Sequence, residues 1–591
     1  MALLATIVYQ NLYYVVGYMS AVKNRIRLNP FWALFGLCML NLLFMHYYIA
    51  FTSRVEWNIG IMSYIDNFLA VIVDVGILFF FFYLLTWKRQ KTALYICFVI
   101  TWLWSFSNVL YSRFFSHYIT LSAIGQIGSL FDETVQGSLM DGFRWIDLYY
   151  PLCLALFVYL AKYFVGLKSL FKKLALFFVV FVALDICYLT LFSLAKPECR
   201  KLDKFFTELY TRHFPVYVYS HSPSYTSFLR GSFFSFYDEL ALMHRGTMQL
   251  SATEKGIIET VIDDSKSSIS LEGNGVDTKN LIFILVESYM SFTSDMLVEG
   301  REVTPFLNAL KHDSIVCYNG QIQDNTTLGA SSDGQFIYMT GLLPLRPIVT
   351  VSKARDVILP GLPKILGMES RMIIPTIASL WKQTDMCKQY GFDHLYTTAD
   401  YPKKHKTNLN DEQIFELAMQ KDKESASPFF SVILTMTMHH PYIYEIDETF
   451  KIKDPSVPKE LKCYLNACHY TDRQIGKYLE HLKATGLFDN SLIVIASDHP
   501  AHAPAFGDVS DDLPLYIVNV DEKAKETWYH GRGNQMDVYT TLLDLYGIES
   551  NWYGLGYSLF SPHYQNSLTE QKWDVSEWIL YSDYFKLAPT R

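Results

Sequence analysis

No two cysteines in this 591-residue chain stand at C-x-x-C spacing, which excludes the common zinc-ribbon and thioredoxin-like patterns. The nine cysteines fall into two groups. Cys38, Cys97, Cys153 and Cys187 lie in or beside long apolar runs, and Cys199, Cys317, Cys387, Cys463 and Cys468 lie beyond them. The second group is odd in number and cannot all pair within one chain, so a disulfide framework is not expected. Positive charge is also short: the net charge is -8, where a general nucleic-acid binder would show a basic face. The opening MALLATIVYQNLYYVVGYMS (residues 1–20) has no charged residue and no clear cleavage site. It lacks the basic n-region of a secretory signal and reads as a further span or an interfacial helix.

What the chain has in excess is apolar surface, with 51% hydrophobic and 16% aromatic residues. It is placed unevenly. Runs of membrane-spanning length occur near 31–51, 67–87, 93–111, 149–166 and 174–195, each long enough to cross ~30 Å of hydrocarbon as a helix. Lys23, Arg25 and Arg27 precede the first run, Lys88, Arg89 and Lys91 lie between the second and third, and Lys162, Lys168, Lys172 and Lys173 border the last two. The positive-inside rule makes these loops cytoplasmic. The loops at 52–66 and 112–148 carry mixed charge and belong outside, so the N-terminus is expected inside and the C-terminal part outside. Asp74 and Asp185 stand within apolar runs, where charge is costly. Each suggests either a role in headgroup passage or interdomain coupling, or an interhelical hydrogen bond.

The expected organisation is a transmembrane domain over 1–195, a polar and aromatic connector over 196–279, an α/β domain over 280–570 and a tail over 571–591. In the α/β part, NLIFILVES, FFSVILTMTM (429–438), SLIVIASDH (491–499) and LYIVNV (515–520) are short apolar runs bounded by turn residues. Such runs read as strands buried on both faces of a mostly parallel sheet, with helices packed on either side. Ligands gather at the carboxyl ends of strands in such sheets. Glu287 follows the first run, His439 and His440 the second, Asp498 and His499 the third. Carboxylates, an imidazole and a nearby hydroxyl make a mixed N/O site for Mn²⁺, Zn²⁺ or Mg²⁺. The same residues would also serve as caps and hydrogen bonders. The hydroxyl candidates lie in TLGASSDGQF (327–336), which has no lysine or arginine and also looks like an ordinary helix start. His440 and His502 read as solvated neighbours rather than ligands.

The order ILVES, GASSDGQF, TMHHP, ASDH and GNQMDVYTTLLDLYGI, with YSRFFSHYITLSAIGQ (111–126) in an outer loop, resembles the lipoteichoic acid synthase-like phosphoglycerol transferases. These are membrane-anchored members of the alkaline phosphatase and sulfatase superfamily. The resemblance implies a five-helix transmembrane bundle and an extracytoplasmic catalytic domain in the cytoplasmic membrane of a bacterium. It implies Ser331 as nucleophile, and one divalent metal, Mn²⁺ in the family pattern, on Glu287, Ser331, Asp498 and His499. His439, Trp381 and Gln383 then fall at substrate-facing positions. It further implies a membrane phospholipid donor and a glycan or glycolipid acceptor. Thr326, Thr327 and Ser332 are the fallback hydroxyls. The family's lysine before the nucleophile is Ala330 here, the acid closing that motif is Gln335, the arginine after the pocket tryptophan is Gln383, and a His-Gly-Asp-like segment is replaced by IPTIAS (374–379). A hydrolase with water as acceptor, a phosphoethanolamine transferase and a non-catalytic envelope-binding domain stand as alternatives.

Overall fold

The computed structural model describes residues 30–52, 61–115, 117–124, 143–167, 169, 223–270, 279–425, 428–501, 506, 507, 509–566 and 568–587. Residues 1–20, the expected span at 174–195, Asp185, Cys199 and His502 lie outside them. The chain divides into two compact units.

The first unit contains α1 (Pro30–Thr52), α2 (Ile61–Leu85), α3 (Gln90–Phe115) and α4 (Tyr149–Ala161), and later α5 (Pro223–Arg230) and the start of α6 (Ser232–Met243). Three helices, Pro30–Thr52, Ser63–Leu85 and Gln90–Arg113, are long and apolar enough to cross a membrane. The expectation of five such spans is therefore met in three among the described residues. The fourth run forms a shorter apolar helix, Trp145–Ala161. It stops ahead of Lys162 and Gly166, a charge and a poor helix former that do not extend a buried or lipid-facing helix. The outward side chains of these helices are largely apolar, while Asn41, His46, Asn67, Asp74, Ser105 and Asn108 are buried inside the bundle. The inner faces pack aromatic rings, with Phe98 on Phe157 at 3.8 Å and Phe44 on Tyr149 at 4.0 Å, while Phe80, Phe81, Leu84 and Leu85 face outward.

The second unit is built on one eight-stranded sheet: β1 (Asn280–Val286), β2 (Val316–Gln323), β3 (Glu369–Ile373), β4 (His394–Tyr396), β5 (Phe429–Leu434), β6 (Ser491–Ser497), β7 (Leu513–Val518) and β8 (Gly533–Asn534). Their spatial order is β8-β2-β7-β6-β1-β5-β3-β4. β1 pairs in parallel with β5 (Ile282 opposite Ser431) and with β6 (Val286 opposite Ser497). β1 and β6 are buried at every position, the pattern of a sheet covered on both faces. β7 departs from the expected parallel arrangement and runs antiparallel to both β6 and β2. A parallel return needs a crossover of a dozen or more residues, usually through a helix, and no α-helix occurs among the described residues between Ser497 and Leu513. The sheet is thus mixed but mostly parallel.

The stretch 196–279 is divided between the units, with Ser224–Asp238 in the first and the chain from Glu239 onward in the second. There, α7 (Ala252–Ser267) starts on a reciprocal Ser251/Glu254 capping box and buries Ile258 and Val261. Residues 571–582 fall in the helix Glu570–Ser582, where Val575, Ile579 and Leu580 are buried. No disulfide joins the seven described cysteines to one another.

Candidate active site

β1 and β6 end side by side, so the residues after them, Glu287 and Asp498–His499, arrive at one rim without any long-range loop. The Glu287 backbone N–H donates to Thr435 Oγ1 beyond β5 at 2.9 Å, which fixes where the carboxylate leaves the strand. The hydroxyl comes from α8 (Ser331–Thr340), whose first residue is Ser331. Its Oγ donates to Glu287 Oε2 at 3.1 Å and lies 3.1 Å from His499 Nε2. Glu287, Asp498 and His499 are all buried, and each offers a ligand atom within 4.8 Å of the others. His499 Nδ1 donates to the Pro500 carbonyl at 2.8 Å, which turns Nε2 toward the cluster.

The loop before Ser331 is shaped by residues that look like a simple helix start. Ala330 is held at φ 42°, a conformation costly for a residue with a Cβ. Ser332 does not cap; its Oγ donates back to the Gly329 carbonyl at 2.9 Å. Asp333 instead reaches backward to tie down the preceding loop, accepting N–H bonds from Thr327 and Gly329 at 3.0 and 2.9 Å. Thr327 also binds Asp333 through its hydroxyl at 2.8 Å, so that hydroxyl is committed to the loop.

Several supports had no signal in the sequence. Gly334, in the first turn of α8, sits so near β6 that a Cβ there would lie 2.2 Å from the Asp498 carbonyl oxygen. Gln535 donates to that same carbonyl at 2.7 Å and accepts from Asn325 N at 2.8 Å. Ser288 gives its N–H to Asp498 Oδ1 at 2.8 Å and its hydroxyl to Glu287 Oε1 at 2.9 Å. Glycine beside a nucleophile and a strand-end SDH pair are readable only once the helix is known to cross that strand end.

The electrostatics follow from two carboxylates sharing one imidazole. Burial alone would raise Glu287, but the hydrogen bond and charge of His499 outweigh it and hold the group well below the usual carboxylate range. Burial and the charge of Glu287 together push Asp498 up. Burial favours a neutral His499, yet the charges of Asp498 and Glu287 raise it well above an ordinary histidine. Asp324 adds another acid whose charge reaches His499, its own carboxyl raised by burial. A buried set of two carboxyls and one imidazole, mixed N and O donors with an adjacent hydroxyl, fits a divalent cation of the Mn²⁺, Zn²⁺ or Mg²⁺ kind.

The matches to known proteins extend over both units. Residues 279–548 match the family model "Sulfatase", and residues 19–219 match "Lipoteichoic acid synthase N-terminal domain". Over 577 residues the chain is 25% identical to lipoteichoic acid synthase from Staphylococcus aureus (strain USA300), covering 92% of this chain and 86% of that one. Along both units the chain resembles lipoteichoic acid synthase, with a sulfatase-type domain following the N-terminal match. Among solved structures, lipooligosaccharide phosphoethanolamine transferase A from Neisseria meningitidis matches with a TM-score of 0.50 at 14% identity, over 90% of this chain and 98% of that one. The lipoteichoic acid synthase LtaP from Listeria monocytogenes matches with a TM-score of 0.45 at 18% identity, over 56% of this chain and 98% of that one.

The remaining candidate residues differ in how they relate to this cluster. His439 is exposed, its Nδ1 bonded to the His440 carbonyl at 2.8 Å, and its charge reaches Glu287. His440 turns away to Glu460 at 3.2 Å. Trp381 and Lys382 both take left-handed backbone angles, φ 48° and 55°, a strained bend that delivers Gln383 to the start of α9 (Gln383–Tyr390). Gln383 is buried and donates to Gln335 Oε1 at 3.0 Å, one helical turn beyond Ser331. The two uncharged amides standing where the family pattern has an arginine and an acid are thus partners. No hydrogen bond or ring contact joins Trp381 to the cluster among the described residues.

Proposed function

We propose that this protein is a membrane-anchored phosphotransferase that moves a phosphorylated headgroup, of the phosphoglycerol kind, from a membrane phospholipid to an envelope glycan or glycolipid. The observation that carries this reading is the Ser331 hydroxyl set 3.1 Å from both Glu287 and His499 at the carboxyl rim of the sheet. Ser331, its hydroxyl proton released to water, attacks the donor phosphorus as the alkoxide, forming the Oγ–P bond and breaking the bond to the diacylglycerol oxygen; the second step returns the same alkoxide. His439, on the exposed side, gives the diacylglycerol oxygen its proton. In the second step His439 takes the proton of the acceptor hydroxyl as its oxygen replaces Ser331 on phosphorus. A Mn²⁺-type cation held by Glu287, Asp498, His499 and the Ser331 oxygen would acidify the hydroxyl and screen the phosphate charge. Trp381 and Gln383 line the headgroup side, and the pairing of Gln383 with Gln335 leaves that side without the arginine of the family pattern.

The topology that serves this chemistry has the N-terminus in the cytoplasm and the second unit outside, in the cytoplasmic membrane of a bacterium. Purified full-length protein in vesicles with a headgroup-labelled phospholipid tests the reading. Label passing to an added glycolipid, lost on chelation and restored by Mn²⁺, supports it. Free headgroup phosphate as the sole product with acceptor in excess assigns hydrolysis instead, and no turnover with any divalent cation removes the enzymatic reading.

A further inference from the structure

Asp74 lies six residues into the apolar stretch of α2 that starts at Phe68, ~9 Å along the helix axis at 1.5 Å per residue. It is buried, and among the described residues it does not pair with a basic side chain. Its Oδ2 accepts the backbone N–H of Ser232 at 2.7 Å and its Oδ1 that of Phe233 at 3.4 Å. Trp104, on membrane-length α3, donates its indole N–H to Ser232 Oγ at 3.1 Å. Closer to the helix ends, Asn67 donates to the Phe228 carbonyl at 2.7 Å, and the Phe228 ring packs 5.8 Å from that of Tyr64.

The segment that receives these bonds folds back on itself. α5 and α6 are joined at Gly231, which has φ +87°. The two arms are tied by Ser227 to Ser235 at 2.7 Å and by Arg230 to Asp238 at 3.1 Å. A Cβ on Gly231 would stand 2.6 Å from Asp74 Oδ2, so the turn needs glycine both for its φ and for the carboxylate above it. Going from Phe228 to Ser232, the chain descends from the level of Asn67 to that of Asp74. Hydrocarbon tolerates non-helical backbone only where protein satisfies its polar groups, and here the first N–H groups of α6 are satisfied by Asp74.

We propose that residues 223–238 form a re-entrant helical hairpin that dips into the outer leaflet between the membrane-spanning helices, with Asp74 as the acceptor that makes its tip tolerable there. The occupant of its open face is the acyl region of the surrounding phospholipid. Phe233 and Tyr237, one turn apart on α6, are exposed. Phe68 and Ile77 of α2 and Leu103 of α3 are exposed as well.

The test uses the full chain in phospholipid vesicles with a benzophenone side chain placed at Phe233, Tyr237 or, as an exposed control, Lys255. Photolysis should give lipid adducts at 233 and 237 at least ~10-fold above those at 255. Equal yields, or cross-links to protein alone, overturn the proposal. External trypsin should leave Arg230 uncut in the parent and in Asp74→Asn, which keeps an acceptor oxygen, and should cut it in Asp74→Leu. Cleavage at Arg230 in the parent overturns the proposal whatever the variants do, and full protection in a folded Asp74→Leu removes the role given to Asp74.

Discussion

Both units bury ionisable groups, and one cluster in each settles the cost in opposite ways. Among the membrane helices, Arg113 meets Asp147 through two parallel hydrogen bonds of 2.8 and 2.7 Å and bonds the Tyr48 hydroxyl at 2.8 Å. The aspartate faces positive charge directly, and the Arg144 backbone N–H adds a further bond to it at 2.8 Å. In the α/β unit, Glu287 and Asp498 face a single imidazole, with a hydroxyl that adds no positive charge. Desolvated charge that is matched serves architecture. Desolvated charge left unmatched around a nucleophile asks for a cation or a substrate, and marks the place where chemistry is done.

The largest effect that tests this contrast is loss of the hydroxyl. Ser331→Ala should lower headgroup turnover at least ~10³-fold, measured with labelled phospholipid, while the thermal midpoint of the α/β unit stays within a few degrees of the parent. Retained turnover would break the contrast, because the unmatched cluster would then be structural as well. On the other side, Arg113→Met leaves Asp147 buried without its partner and should cost about 3–5 kcal/mol of membrane-unit stability, whereas Arg113→Met with Asp147→Leu should cost far less. Detergent-resistant unfolding of the three proteins decides it. A double variant as unstable as the single one would mean that the pair contributes through more than charge balance.

Much of this was legible in the chain. Continuous apolar runs before Glu287, His439 and Asp498 gave both the sheet and the rim, because strands buried on two faces leave no polar alternation to confuse the reading. The direction of β7 was not legible, since an apolar run looks the same whichever way it enters a sheet. Nor were Thr435, Ser288 and Gln535, whose roles depend on which backbone groups come within 3 Å of them. The short fourth helix shows the same limit from the other side. Hydropathy counts apolar residues, and it does not register that a lysine and a glycine end a helix early. Asp333 stands two residues after Ser331 in the sequence, but the backward reach of its side chain appears only in three dimensions.

Gly334 supplies a smaller perturbation with a sign that propensity gets wrong. Alanine in place of a helical glycine ordinarily stabilises by about 1 kcal/mol. Here the new Cβ meets backbone, the Asp498 carbonyl oxygen at 2.2 Å, which cannot swing away as a side-chain tip could. Gly334→Ala should therefore destabilise the α/β unit by about 3 kcal/mol and lower turnover ~10²-fold by shifting Ser331 away from Glu287. Denaturant midpoints and labelled-lipid assays read the two effects separately. A more stable variant would show that α8 can move off the strand end freely, and that the close approach is not what sets the Ser331 geometry.

The smallest effect sharpens the comparison, because the device used by Asp74 recurs in the α/β unit. Asp472 is buried and accepts the backbone N–H groups of Phe306 and Leu307 at 2.9 and 2.8 Å. Burial pushes its carboxyl up to about 7, against the pull of those two N–H bonds. A carboxyl whose folded pKa lies above its unfolded value binds its proton more tightly when folded. Its contribution to stability is complete below the unfolded pKa and is lost as pH rises toward and through the folded one. The α/β unit should thus lose about 2 kcal/mol from this group between about pH 5 and pH 7, and Asp472→Asn, which cannot titrate, should flatten that slope. Denaturant unfolding across that window checks it. An unchanged slope in Asp472→Asn would mean that the two N–H groups hold the carboxylate ionised throughout, and that a pair of backbone donors balances a buried charge as fully as an arginine does.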